Sequence, residues 1–172
     1  MLMSPSLDRR GLALALAAVL LSSLALPAPA QEFLGKEGNW NVLTYVKGDT
    51  KYCYIESDPV KEEGDYSARG KPYLLVLRNP NGGDEVSATS GYPYKEGSEV
   101  EVTLGALKVG FFTKGDKAWA RTSEEDAKLV KAMKAGMSMT VKGTSQKGTF
   151  SLDTYSLKGF TAAYKRLNEA CG

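Results

Sequence analysis

Glu99-Val100-Glu101-Val102-Thr103-Leu104 alternates polar and apolar side chains over its whole length. Successive side chains of a strand point to opposite faces, so Val100, Val102 and Leu104 belong on a buried face and the two glutamates in solvent. A solvated sheet face explains Glu99 and Glu101 better than a catalytic carboxylate pair does. Downstream, Lys108 to Thr113 and Lys117 to Arg121 flank Lys114-Gly115-Asp116 and read as a hairpin. Upstream, Trp40 to Tyr45 and Lys51 to Glu56 flank Lys47-Gly48-Asp49 as an opening hairpin, after a loose start from Gln31 to Asn39. In Tyr73-Leu74-Leu75-Val76-Leu77 both alternating sets are apolar, which predicts a central strand covered on both faces. Asn79-Pro80-Asn81-Gly82-Gly83 ends it in a turn. Met137, Met139 and Val141 alternate with polar residues, and Phe150 and Leu152 supply the apolar set of the last strand.

Two segments break this rhythm. Ser123-Glu124-Glu125-Asp126 is a helix start, with a capping hydroxyl and acids against the positive end of the helix dipole. Val130, Met133 and Met137 follow at helical spacing, with Gly136 as the stop. Leu157, Phe160, Tyr164, Leu167 and Cys171 form one stripe of a second helix from about Leu157 to Ala170. The expectation is mainly β: a single antiparallel β-sandwich or barrel-like domain of about nine short strands, with an inserted helix and a C-terminal helix.

The first thirty residues read as an address. Arg9 and Arg10 precede an uncharged apolar run from Gly11 to Leu26, and Ala28-Pro29-Ala30 offers small residues for a signal peptidase. The run is short of the roughly twenty residues a bilayer span needs. A signal peptide over residues 1–30, cleaved between Ala30 and Gln31, is expected, leaving no membrane span and one domain over residues 31–172. The destination is the periplasm or the exterior of a bacterial cell.

Residues 31–172 carry 20 Lys and Arg against 19 Asp and Glu, interspersed, which is no footprint for nucleic acid. The chain has no histidine, so a Ser-His-Asp or Cys-His nucleophile and His-ligated zinc or haem are excluded. No cofactor, metal site or catalytic residue is expected. The only two cysteines, Cys53 and Cys171, have one intramolecular pairing open to them, and an exported chain lets that disulfide persist. Lys142 to Gly148, with glycines, hydroxyls and two lysines, could present N–H groups to an anion but lacks the phosphate-loop spacing, and a strand connection is the better reading. A Ser145–Lys147 dyad has no assurance from spacing that the two groups meet. Tyr92, Pro93, Tyr94 and Lys95 offer rigid aromatic surface around a proline, either as a contact surface or as a turn whose tyrosines cover the core.

Ser156-Leu157-Lys158-Gly159-Phe160-Thr161-Ala162-Ala163, inside the run Gly148 to Tyr164, resembles the closing signature of the invasion-associated locus B family of exported bacterial proteins. Trp40, Cys53, Gly91-Tyr92-Pro93 and Ala118-Trp119 also look like that family. The resemblance implies a small, β-rich, exported protein, and the family's name points to host-cell entry. Larger relatives carry more cysteines than Cys53 and Cys171. The reading is a non-catalytic envelope protein that acts by binding an envelope or host protein. The alternatives are a periplasmic envelope-maintenance or stress factor, or a carboxylate-based hydrolase, which would need Asp153 to face another acid in a deep pocket.

Overall fold

In a computed structural model, which describes residues 31–171, the chain forms one continuous antiparallel sheet of eleven strands with two helices. The signal peptide expected over residues 1–30, with Ala30 at its cleavage site, lies outside the described residues. The strands are β1 (Gln31–Glu37), β2 (Trp40–Lys47), β3 (Thr50–Ser57), β4 (Lys61–Gly64), β5 (Tyr73–Arg78), β6 (Asp84–Thr89), β7 (Glu99–Leu104), β8 (Leu107–Lys114), β9 (Lys117–Trp119), β10 (Ser138–Thr144) and β11 (Phe150–Ser156). The helices are α1 (Ser123–Ala135) and α2 (Phe160–Cys171). Across the sheet the order is β1-β2-β3-β5-β6-β9-β8-β7-β10-β11-β4.

The mainly antiparallel β reading with an inserted and a C-terminal helix holds, but about nine strands is an undercount. The expected loose start is β1, which pairs with β2 through a register shift between Phe33 and Gly35. The edge strand β4 is Lys-Glu-Glu-Gly, wholly exposed and paired only with β11, so it has no apolar period to read. The sheet is not closed. It curls until its two ends are joined by other means: Trp40 Nε1 donates to the Ser156 carbonyl at 3.0 Å, and Asn39 N donates to the Lys158 carbonyl at 3.0 Å.

Val42, Cys53, Ile55, Leu74, Val76, Val86, Val100, Val102, Phe111, Met139 and Val141 face inward and are buried, as the alternation in β7 requires. Both helices cover this inner face. Helix α1 is capped by Thr122, whose side chain accepts from Glu125 N, one residue before the expected Ser123. Gly136 ends it, so Met137 falls outside the helix and is 88% exposed, against the stripe expected of it. Asp126 in the first turn is buried and accepts from Val86 N at 2.8 Å, which clasps α1 to β6.

Helix α2 begins at Phe160, not Leu157, although Leu157 is buried beside it. The reason is Gly159, whose φ of 90° and contact with the Glu37–Gly38 backbone leave no room for a Cβ. Phe160 meets Trp40 edge to face at a centroid distance of 4.9 Å, and Phe160, Ala163 and Leu167 are fully buried. Tyr164 is half-buried. Its hydroxyl donates to Asp84 Oδ2 at 2.6 Å and accepts from Arg78 Nη2 at 2.7 Å. Cys171 is bonded to Cys53 with a Cα–Cα distance of 6.0 Å across 118 residues of sequence, a loop for which chain entropy allows roughly 4 to 5 kcal/mol.

Removing the Phe160 ring leaves a cavity between α2 and β2. Phe160→Ala should cost about 3 to 5 kcal/mol in chemical denaturation; a loss below about 1 kcal/mol would show that the helix docks without it. Asp126 gives a pH dependence. Burial, and then repulsion from Glu85, Asp84 and Glu125, raises its carboxyl to about 6 against the Val86 N–H bond, which lowers it. A carboxyl raised in the folded state stabilises it in full below the unfolded pKa of 3.8, and that contribution is lost as pH rises through about 6. Asp126→Asn keeps an acceptor for Val86 N–H. It should gain up to about 2 to 3 kcal/mol relative to wild type at pH 7.5 and little at pH 4, measured by denaturant titration at both.

Candidate functional site

Three segments meet at one edge of the domain: residues 65–70 before β5, the turn Gly91-Tyr92-Pro93 after β6, and the turn Ser145–Thr149 between β10 and β11. They are joined through backbone. Gly70 N donates to the Gly91 carbonyl at 2.8 Å, Gln146 N to the Pro93 carbonyl at 3.0 Å, and Lys95 N to the Thr144 carbonyl at 2.9 Å. Between them lies a cleft of about 490 Å³, lined by Tyr66, Ala68, Arg69, Tyr92, Pro93 and Gln146 among others.

The structure divides the four residues of the expected contact loop. Tyr92 and Pro93 line the cleft, Lys95 is exposed outside its lining, and Tyr94 is buried in the core. The Tyr94 hydroxyl shares a 2.9 Å hydrogen bond with Ser90 Oγ, and burial raises its pKa. Tyr92 is half-buried, its hydroxyl 2.7 Å from Ser151 Oγ, and the two rings meet edge to face at 5.5 Å. Both rings pack over Gly143, where a Cβ would come within 2.6 Å of Tyr94 Cε1 and 3.1 Å of the Tyr92 hydroxyl.

Lys142, Gly143 and Thr144 belong to β10, so the expected anion loop shrinks to a turn. Ser145 Oγ lies 2.7 Å from Thr149 Oγ1, Lys147 is exposed, and no Ser145–Lys147 bond forms.

Beneath the cleft, β11 inverts the expected pattern. Ser151, Asp153 and Tyr155 face inward and are fully buried, whereas Phe150 is 43% exposed. Asp153 holds Arg69 with both carboxylate oxygens, Oδ2 to Nη1 at 2.8 Å and Oδ1 to Nη2. Arg69 Nη2 also reaches Glu62 Oε2 at 2.7 Å, Nη1 reaches the Ser90 carbonyl at 3.1 Å, and the guanidinium lies 4.4 Å from the Tyr66 ring centre. Burial alone would lower the Arg69 pKa, but the hydrogen bonds to Asp153 and Glu62 outweigh it and hold the group charged. Burial pushes the Asp153 carboxyl up and the Arg69 hydrogen bonds pull it down. Arg69 Nε and the Tyr155 hydroxyl, both buried in this cluster, have no partner. Asp153 therefore neighbours a second acid, Glu62, its register partner on β4, but an arginine lies between them and Asp153 does not line the cleft. That is not the geometry of a glycosidase pair, which leaves both carboxyls open to one bond.

Sequence reasoning missed Arg69 altogether. The available signal was Asp153, a charged residue at an alternate position of a strand whose neighbours Ser151 and Tyr155 share its face.

A model of the invasion associated locus B protein family matches residues 40–168. The chain belongs to the invasion associated locus B family. The match runs from Trp40 to just past Leu167 of α2, so it includes the residues that line the cleft and Gly159 itself. The crystal structure of invasion associated protein b from Bartonella henselae is similar, with a TM-score of 0.58 at 19% identity over 79% of this chain and 95% of that one. No curated protein matches.

Arg69→Met would strand Asp153 without its cation and should cost about 3 to 5 kcal/mol. The double variant Arg69→Met, Asp153→Leu should recover most of that loss in the same denaturation assay. Equal destabilisation of the single and double variants would show that the pair is not the source.

Proposed function

We propose that this family member is an exported, non-catalytic protein of the bacterial envelope, its leader removed between Ala30 and Gln31, which acts by binding through the cleft beside Tyr92 and Pro93. The observation carrying this reading is that the cleft is already formed. Its three walls are tied by backbone hydrogen bonds, and the Arg69–Asp153 pair anchors its floor. A preformed cleft spares a ligand the cost of ordering loops. The absence of histidine from the sequence and the burial of Asp153 beneath an arginine support a binding role over catalysis. The name of the Bartonella henselae relative favours a host-cell partner over an envelope-maintenance role.

Ala68 is exposed on the cleft wall, so Ala68→Trp fills the space without touching the core. Capture of partner from host-cell surface extract should fall at least about tenfold with an unchanged melting temperature, while Lys95→Ala should change neither. Undiminished capture by Ala68→Trp removes the cleft as the site, and recovery of the protein only from the cytoplasm removes the export reading.

A further inference from the structure

Both apolar sets of β5 were expected to be covered, and only one is. Leu74 and Val76 are fully buried under the helices, but Tyr73, Leu75 and Leu77 face outward and are half-buried. The strand register extends this outer set across its neighbours. Leu77 lies opposite Tyr54, Tyr54 opposite Leu43, Tyr45 opposite Tyr52, Leu75 opposite Ser87, and Ser87 opposite Trp119. Tyr45 and Tyr52 stack with ring centres 4.9 Å apart, and Tyr45 meets Tyr54 edge to face. No helix among the described residues covers this side, since α1 and α2 both pack on the inner face.

The result is a groove of about 480 Å³ on the outer face of β2, β3, β5, β6 and β9, with an aromatic and leucine floor. Its lining also includes Gln31, Glu56, Glu85, Ser87 and Lys117. Two carboxylates and one ammonium, interleaved with an amide, a hydroxyl and tyrosine hydroxyls, suit neither a polyanion nor a polycation. They suit a ligand that is uncharged, rich in hydroxyls and apolar on its ring faces. Five strands at about 4.8 Å spacing make the groove roughly 20 Å long, about four sugar rings. With at most three lining positions on any strand the floor covers at most about 300 Å², well below the roughly 800 Å² per partner of a stable protein interface.

We propose that the outer-face groove binds a neutral, flat, β-1,4-linked glycan chain, its ring faces on Tyr45, Tyr73, Leu75 and Trp119 and its hydroxyls against Glu56, Glu85 and Lys117. An extended β-1,4 ribbon presents the apolar C–H faces of its rings in one plane, which matches a pleated floor of aromatic and leucine side chains. The site is separate from the Tyr92–Pro93 cleft and does not depend on it.

The test is titration of the purified protein with cellohexaose and with chitohexaose, followed by tryptophan emission and by calorimetry. The chain has two tryptophans and Trp40 is fully buried, so an emission change reports Trp119. At least one oligosaccharide should bind saturably at millimolar concentration or below, with an emission change and little dependence on salt. Tyr45→Ala should weaken binding at least about tenfold. Trp119→Phe, the more conservative change, should abolish the emission change and weaken the calorimetric affinity. Ala68→Trp in the other cleft should have no effect. Absence of binding by both oligosaccharides, or binding undisturbed by Tyr45→Ala and Trp119→Phe, overturns the proposal. So does a concentration-dependent dimer in sedimentation that Tyr45→Ala dissolves, because the face would then belong to a second copy.

Discussion

The docking of α2 against the first three strands is the constraint on which the rest of the domain depends. An eleven-stranded sheet with two free edges has no closure of its own, and its strands would splay without something bound across the ends. Helix α2 supplies that link. Gly159 lets the backbone before the helix approach Glu37 and Gly38, Trp40 reaches both the Ser156 carbonyl and the Phe160 ring, and the Cys53–Cys171 bond holds the far end. The Leu157-Lys158-Gly159-Phe160 run thus has a mechanical reading. Leucine and phenylalanine fill the core on either side of a glycine that no residue with a Cβ could replace without moving the backbone.

Closure of this kind makes the two faces of the sheet unequal. The inner face is covered by helices and its side chains are buried. The outer face keeps aromatic and leucine side chains that the helices cannot reach. Exposed apolar patches of this sort on a single domain mark surfaces with something to contact. The open edges are handled differently: β4 is short and charged, and the Leu34 carbonyl on β1 is capped by Arg166 Nη2 at 2.6 Å. Edge-to-edge pairing is discouraged at both ends while the outer face is left free.

The polar cluster under the Tyr92–Pro93 turn is a second departure from a uniform core. Arg69, Asp153, Ser90, Ser151 and the hydroxyls of Tyr92 and Tyr94 are joined by hydrogen bonds over a short distance, although Arg69 Nε is left without a partner. Apolar fillings of equal volume are often about as stable as a buried ion pair, so such a network is better understood as fixing three loops in one arrangement. A fixed arrangement of loops is what a recognition cleft requires.

Much of the scaffold was legible in local pattern. The alternation of Glu99 to Leu104, the hairpin glycines, the acids opening α1 and the 3-and-4 spacing of α2 each act over a few residues, where backbone geometry and solvent alone set the preference. The cysteine pairing followed from there being two. What failed in the reading was long-range. β1 and β4 are strands because β2 and β11 offer them partners; β11 turned Asp153 inward because Arg69, 84 residues away, waits there; and Tyr94 entered the core because Gly143 leaves space for its ring. The sequence by itself determined most of the turns, both helices and the strands with an apolar period. Only the tertiary structure decided which faces of β5 and β11 are buried, which charges are matched and where a cleft opens, because those depend on groups brought together by chain closure and not by neighbourhood in the chain.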